Sequence, residues 1–377
     1  MLLMYEEGKV RIVSYKGSFL NPVARASREI SIALARSIYK GGKVLDATAA
    51  TGIRGMEYAA ELGAEVTMLE INSTAYKDLR RNLLYNAKAH RLGKGRAKAI
   101  NTSFQEFANT TSERFEIIDI DPFGSAAPYI FDSMKIASDS SYLFVTATDA
   151  AVLCGAHRKA CMKLYDAVPM HNEFCHEAGI RILLGYIART AAQFNYGIVP
   201  VLSLYYAHYM RVFVRLEHGA KAALDSLASL GYAYYCEKCG NRNHEKSEFA
   251  REERCDLCGA KMTIAGRMWL GSITDKKAVS SALEHMEGAS KEARGLMNRI
   301  AEELDVPFYY SVPELTKKLG MGSISISALI EALRKIGRVS KTHFDYSSIK
   351  TDVPYKDIIL QAKRLGRERK IGGRRKQ

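Results

Sequence analysis

No run of apolar residues in this 377-residue chain approaches the roughly 20 that a bilayer-spanning helix needs. The opening stretch, MLLMYEEGKVRIV, has Glu6 and Glu7 where a leader would be apolar, and it lacks a small-residue cleavage site. Neither a secretory signal nor an anchor is expected, and the expected compartment is the cytoplasm. An amphipathic basic helix rich in Trp or Phe is also missing, and the chain has a single tryptophan. That absence argues against an anionic membrane surface as partner. The net charge of +14 and the pI near 9.3 then point to nucleic acid. The G-x-G-x-x-G turn of dinucleotide enzymes is absent as well. What remains is ordinary for a soluble protein, 47% hydrophobic and 25% charged, and long enough for two or three domains with real cores.

Two stretches organise the chain. Lys43–Gly55, KVLDATAATGIRG, reads as a short buried strand ending in Asp46 and running into a turn with Gly52 and Gly55, where a helix can start. Helix GMEYAAELG, strand EVTMLEI ending at Glu70 and helix AYKDLRRNLLYNA follow, which is the βαβ pattern of an open parallel sheet. Such a turn holds a nucleotide-like cofactor, with Glu70 placed for ribose hydroxyls. The same G-x-x-G also occurs in plain strand-to-helix turns.

In the second stretch, strand Ile117–Ile120 delivers Asp121-Pro122-Phe123-Gly124 to the carboxyl end of the same sheet. An exocyclic amine on a base is a poor nucleophile because its lone pair is conjugated with the ring. The Asp121 carboxylate and the Pro122 carbonyl can accept its hydrogens and aim that lone pair. Proline brings no competing N–H, and Phe123 offers the base a face to stack on. A strand that merely ends in a D-P turn fits the tetrapeptide too.

The stretches DATAATGIRG, DIDPFGS, TATDAAVLCGAH, CHEAGIRILLGYIAR and KTHFDYSSIKTD resemble those of the tRNA guanine-26 N2-dimethyltransferase family, in order, from about Phe19 to Thr351. The resemblance implies an α/β class I (Rossmann-like) methyltransferase domain using S-adenosylmethionine, followed by a C-terminal α+β domain. It implies tRNA as substrate, and N2-methyl- and N2,N2-dimethylguanosine as products. Phe19 would close over the base opposite Phe123. Arg28 and Arg54 would meet the cofactor, Arg54 at its carboxylate, with Asp46, Gly52 and Glu70 around it. Asn21 also belongs to this set. After strand RAKAINTS the family carries acidic residues at the adenine, whereas this chain has Ser103-Phe104: a hydroxyl that accepts one hydrogen bond and a ring that packs.

Cys236-x2-Cys239 and Cys255-x2-Cys258 form two thiol knuckles, each with glycine just after its second cysteine. This is the spacing of a closed, structural four-thiolate zinc site in a ribbon. Some members of the family lack these cysteines, so the ribbon stands apart from the shared chemistry. Cys154, His157, Cys161, His171, Cys175 and His176 crowd another region without a tetrahedral ligand spacing, and read as reduced core cysteines and surface histidines.

The expected division is a methyltransferase domain over 1–219, a zinc-ribbon segment over 220–271, a helical, winged-helix-like part over 272–359, and a basic tail over 360–377. Gly8–Tyr15 is expected as an edge strand, with a helix from Ala26 capped by Ser27. The tail carries eight Lys/Arg against one Glu and is expected to lack fixed structure when free. Its Lys363, Arg364 and Arg367, with His157, Arg158 and Lys159 after the DPFG region, are the expected RNA-backbone contacts. The protein is expected to act as a monomer. An adenine-N6 methyltransferase would use the same Asp-Pro-aromatic device, and an RNA-binding protein with an inert methyltransferase-like domain would share the fold. Base identity in the product separates the first, and cofactor binding the second.

Overall fold

The structure is a computed structural model that describes residues 4–374. The chain divides into two compact units, one made of Met1–Asp149, Ile187–Leu227 and Thr274–Met297, the other of Ala150–Tyr186, Ala228–Ile273 and Asn298–Gln377. The units interleave along the chain, so they are not the successive blocks that the sequence suggests. Helix Lys276–Glu284 packs on helix Arg25–Ile38, and Ser290 hydrogen-bonds Glu29, which gives 274–297 to the first unit. Residues 150–186 go to the second. There the buried Arg181 pairs with Glu177 and donates to the carbonyls of Trp269 and Gly271.

In the first unit, β1 (Tyr5–Glu7) and β2 (Val10–Ile12) form a separate hairpin, where the sequence suggests an edge strand. The main sheet contains β3 (Val44–Asp46), β4 (Glu65–Leu69), β5 (Arg96–Ile100), β6 (Phe115–Ile120), β7 (Ala137–Ala147), β8 (Tyr196–Tyr206) and β9 (Tyr209–His218). Its order is β5-β4-β3-β6-β7-β9-β8, parallel except for β9, which runs antiparallel to both its neighbours. β3, β4 and β6 are nearly continuous apolar runs, as strands buried on both faces must be. The order reverses between β3 and β6. The loops that leave these two strands diverge there and open a crevice at their carboxyl ends.

Local chemistry sets the helices around that crevice. Gly52 has φ 80° and precedes helix Ile53–Leu62; Gly63, φ 66°, ends it with an N–H bond to the Ala59 carbonyl. A Cβ on Gly52 would lie 2.2 Å from Leu79 Cδ1, so the turn tolerates no side chain. Asn72 caps helix Ser73–Lys88 and Ser103 caps helix Phe104–Thr110. Ser27 is not a cap. Asn21 caps a short turn at Pro22–Ala24 instead, and Ser27 lies buried inside helix Arg25–Ile38.

The second unit contains two small antiparallel sheets. β10 (Leu230–Tyr235) lies between β11 (Arg242–Lys246) and β12 (Thr263–Trp269), and this sheet carries the cysteine knuckles. β13 (Tyr310–Ser311), β14 (Val339–Lys341) and β15 (Ser348–Thr351) form a sheet in the order β13-β15-β14, and helices Val312–Lys318 and Ile326–Arg334 lie between β13 and β14 in the chain. The region expected to lack structure continues helix Tyr355–Arg374, which buries Ile358 and Ala362 against Leu329, Leu333 and Ile349. The last three residues of the tail lie outside the described range.

Candidate active site and thiolate cluster

A cavity of about 430 Å³ lies in the first unit, within the size range of small-molecule sites. Its wall includes Phe19, Arg28, Asp46, Arg54, Glu70, Ser103, Phe104, Asp121, Pro122 and Phe123. Of the catalytic and cofactor residues expected from sequence, Gly52 alone is not in the wall, although the turn it shapes is.

The turn after β3 is held by backbone and acid together. The Ala47 N–H bonds the Asp119 carbonyl, and the Ala49 N–H bonds the Leu69 carbonyl. Glu70 accepts from the N–H groups of Ala50, at 3.0 Å, and Asn72, at 2.8 Å, so its carboxylate is fixed at the end of β4. Asp46 accepts from the Gly55 N–H at 3.0 Å. Burial, and next the charge of Asp119, push its carboxyl up to about 7. Asp46 therefore holds the glycine turn from beneath.

Asp121 leaves β6 half-buried. Its N–H donates to Thr48 Oγ1 at 3.0 Å, which ties the two loops of the crevice. Pro122 is buried, and Gly124, φ 80°, donates to Thr148 Oγ1 at 2.6 Å. Thr146, on the preceding strand, is buried and accepts from Arg211.

Arg28 and Arg54 both line the cavity and are also paired with carboxylates of the protein. Arg28 is buried and engages Glu7 through Nε at 2.8 Å and Nη2 at 2.6 Å, which clamps the β1–β2 hairpin to helix Arg25–Ile38. Arg54 pairs with Asp119 at 3.4 Å and with Asp121. Burial acts to lower its pKa, but the charges of Asp119 and Asp121 outweigh burial and keep it well above the ordinary value. A guanidinium has five N–H donors, so Arg54 can serve a further carboxylate while it holds these two.

Phe19 and Phe123 are both exposed at the cavity mouth, with ring centroids 4.8 Å apart at 77°. The two rings do come together, but edge to face. A base stacked between them needs centroids about 7 Å apart, so they must separate by roughly 2 Å to take one. The segment before Phe19 is pinned to helix Ser73–Lys88. Asn82 accepts from the N–H groups of Val13 and Ser14 and donates to the carbonyls of Ser14 and Thr51, while Asp78 accepts from Gly17. Ser103 is at the wall with its hydroxyl capping Glu106 at 3.1 Å, and the buried Phe104 ring tilts against Tyr129.

Sequence reasoning missed Asp119, Tyr58, Thr48 and Arg211. Two signals were available: Asp119 in β6 and Asp121 just after it fall on one face by the period of two, and Arg211 is a cation beside apolar neighbours in β9.

In the second unit, the thiols of Cys236, Cys239, Cys255 and Cys258 lie within 4.8 Å of one another. Cys236 Sγ and Cys258 Sγ are 3.4 Å apart, and Cys239 Sγ and Cys255 Sγ 3.5 Å. A tetrahedron with Zn–S bonds of 2.3 Å has S–S edges of about 3.8 Å, so the four residues fit a closed zinc site. Gly240 and Gly259, both at positive φ, turn their N–H groups to the Cys236 and Cys255 carbonyls at 2.8 Å. The ribbon is not isolated. Tyr355 Oη donates to the Cys239 carbonyl at 2.8 Å, and Lys318 Nζ donates to that of Glu237 at 2.7 Å.

His157, Arg158 and Lys159 are exposed at the start of helix Arg158–Tyr165, and Lys363, Arg364 and Arg367 are exposed on helix Tyr355–Arg374. Ligand atoms of Cys154, Cys175 and His176 lie within 4.8 Å of one another, a grouping that their spacing does not reveal.

The profile of the family described as N2,N2-dimethylguanosine tRNA methyltransferase matches residues 3–362. The tRNA (guanine(26)-N(2))-dimethyltransferase of Pyrococcus horikoshii is 36% identical over 386 residues, covering 97% of this chain and 99% of its own. That of Methanosarcina acetivorans is 36% identical over 363 residues, covering 91% of each chain. Among solved structures, the complex of Trm1 from Pyrococcus horikoshii with S-adenosyl-L-methionine has a TM-score of 0.87 at 34% identity, over 96% of this chain and 99% of that one.

Proposed function

Because the chain belongs to the N2,N2-dimethylguanosine tRNA methyltransferase family, we infer that it transfers methyl groups from S-adenosylmethionine to the exocyclic N2 amine of guanine 26 in tRNA. The observation that carries this reading is the convergence of Asp121-Pro122-Phe123, Arg54 and Glu70 on one cavity wall at the switch point of the sheet.

S-adenosylmethionine supplies an electrophilic methyl group on a sulfonium. The residues that would hold it are the Asp46–Gly52 turn, Glu70 toward the ribose, Arg54 with Arg28 behind it toward the carboxylate, and Ser103 and Phe104 toward the adenine. The Asp121 carboxylate and the Pro122 carbonyl accept the amine hydrogens and aim the nitrogen lone pair. Asp121 need not be a strong base. An alkylated nitrogen becomes acidic, so the carboxylate mainly holds geometry and offsets developing positive charge. A monomethylated amine keeps one hydrogen for one acceptor, which allows a second transfer. Phe19 and Phe123 part to admit a base taken out of its stack.

Zinc at the four thiolates would act structurally, in a ribbon that extends the RNA-facing surface. His157, Arg158, Lys159, Lys363, Arg364 and Arg367 would contact phosphates without reading bases. The enzyme would act as a monomer in the cytoplasm. No helix among the described residues is long and apolar enough to cross a membrane.

The test is nucleoside analysis of unmodified tRNA after incubation with methyl-labelled cofactor, beside a transcript with adenine at position 26. Label in N2-methylated guanosine from the first RNA and none from the second is expected. Label in N6-methyladenosine, or none in either, would contradict the reading.

A further inference from the structure

We propose that Asp119 and Arg211 are positioning residues for the transfer, acting through Arg54 on the Asp121 carboxylate; the inference rests on the role given to Asp121 above. Asp119 is fully buried at the end of β6. Three donors converge on its Oδ2: Arg211 Nη2 at 2.7 Å, Tyr58 Oη at 2.5 Å and Arg54 Nη1 at 3.4 Å. The other end of the Arg54 fork pairs with Asp121. Arg211, from β9, has no exposed surface and spreads over three partners: Asp119, Thr146 Oγ1 at 2.5 Å and Ser31 Oγ at 3.0 Å.

This connectivity has a direction. Arg211 is fixed by groups on a neighbouring strand and on helix Arg25–Ile38; it fixes Asp119, and Asp119 fixes the near end of the Arg54 fork. Arg54 then presents its far end to Asp121, the most exposed member of this chain of charges, and both line the cavity. A planar guanidinium held at one end by a carboxylate cannot swing without breaking that contact, so the Asp121 carboxylate has a single bearing in which to meet an incoming amine. Misplacing such a group by about 1 Å is enough to cost on the order of a hundredfold in rate.

The charges are balanced for this purpose. Burial works against ionisation of Asp119, but Arg211 and Arg54 outweigh it and keep the carboxylate charged. Two arginines thus serve Asp119 and Asp121, while Asp46, the third carboxyl of the group, holds its proton more tightly than an exposed one. A buried network of this kind works only when every member is present.

The experiment is a pair of double-mutant cycles read by single-turnover transfer at saturating cofactor and tRNA. Asp119→Asn and Arg211→Lys are made in the wild-type enzyme and again with Asp121→Ala, and cofactor Kd and tRNA KM are measured for each. In the wild-type background each should lower the rate by about tenfold or more, with Kd and KM moved by less than about threefold. In the Asp121→Ala background the same changes should alter the residual rate by less than about twofold, because the group they act on is gone. Equal fold-losses in the two backgrounds, or wild-type rates, would overturn the proposal.

Tyr58→Phe keeps the ring and removes one hydrogen bond to Asp119. It should give a smaller loss with the same dependence on Asp121, and it decides the matter if a buried Asp119 variant fails to fold. A near wild-type rate for Asp121→Ala itself would instead remove the reading of Asp121, and this inference with it.

Discussion

Arg54 and Asp121 stand on opposite sides of the point where the sheet reverses its order, and their side chains form an ion pair. The pair joins the turn that would hold the cofactor to the motif that would hold the base. Arg54 is therefore at once a wall of the cofactor cavity and the partner of the group that orients the amine.

This double role separates two variants that sequence alone would treat as equivalent. Glu70→Ala should weaken cofactor binding about tenfold or more, in line with a lost charged hydrogen bond, and leave the transfer rate at saturating cofactor nearly unchanged. Arg54→Ala should lose both, because it also leaves Asp121 without its cation. Calorimetry and single-turnover rates on both proteins check this; unchanged affinity in both would mean that the cofactor lies elsewhere.

Asp46 makes stability depend on pH. Its folded value, about 7, lies above that of an unfolded carboxyl, so the native state binds the extra proton and stability falls as pH rises from about 4 to about 7. Asp46→Asn keeps an acceptor for the Gly55 N–H without that penalty. Relative to wild type it should gain stability between pH 5 and pH 8, by a few kcal/mol at most on an order-of-magnitude basis. Thermal melts of both proteins at the two pH values check the sign, and an equal difference at both would remove the assignment.

Carefully purified protein should contain stoichiometric zinc, and Cys239→Ser should lower the melting temperature by roughly 5 °C or more while leaving the cofactor cavity able to bind. The loss should reach beyond the knuckles, since the Cys239 carbonyl accepts from Tyr355, a core residue of the second unit. Metal analysis without zinc would end this part of the account.

Cutting the chain after Arg367 spares Ile358, Ala362 and Leu365, which pack in the helical core, and removes five basic residues against one acid. Binding should weaken similarly for all tRNAs, with the salt slope reduced by up to about four and turnover at saturating RNA kept. An undiminished slope would show that residues 368–377 do not contact phosphate.

The elements around the site were legible because their periods are strong. The apolar runs of β3, β4 and β6, with Gly52 after the first and the D-P step after the last, identify an open parallel sheet and its ligand-bearing carboxyl end from residues alone. The roles of the arginines were not legible. Whether Arg54 meets Asp121 or only a ligand depends on the bearing of a long side chain between two loops distant in sequence. Arg28 looks the same in sequence as a cofactor ligand and as the partner of Glu7, since β1 and β2 carry no signal of where they dock. Phe19 owes its place to Asn82 and Asp78, polar residues on a helix face that reads as solvent-exposed until the N-terminal segment lies on it. The interleaving of the two units was hidden for a similar reason: Lys276–Glu284 is amphipathic, and its pattern does not name the helix it packs on.

Whether Asp121 orients the guanine amine is decided by single-turnover transfer to unmodified tRNA by Asp121→Ala, with cofactor affinity measured on the same preparation. The expected result is a fall in rate of about a hundredfold or more, with the fold intact and cofactor affinity within a few-fold of wild type. A rate near that of the wild-type enzyme would contradict it.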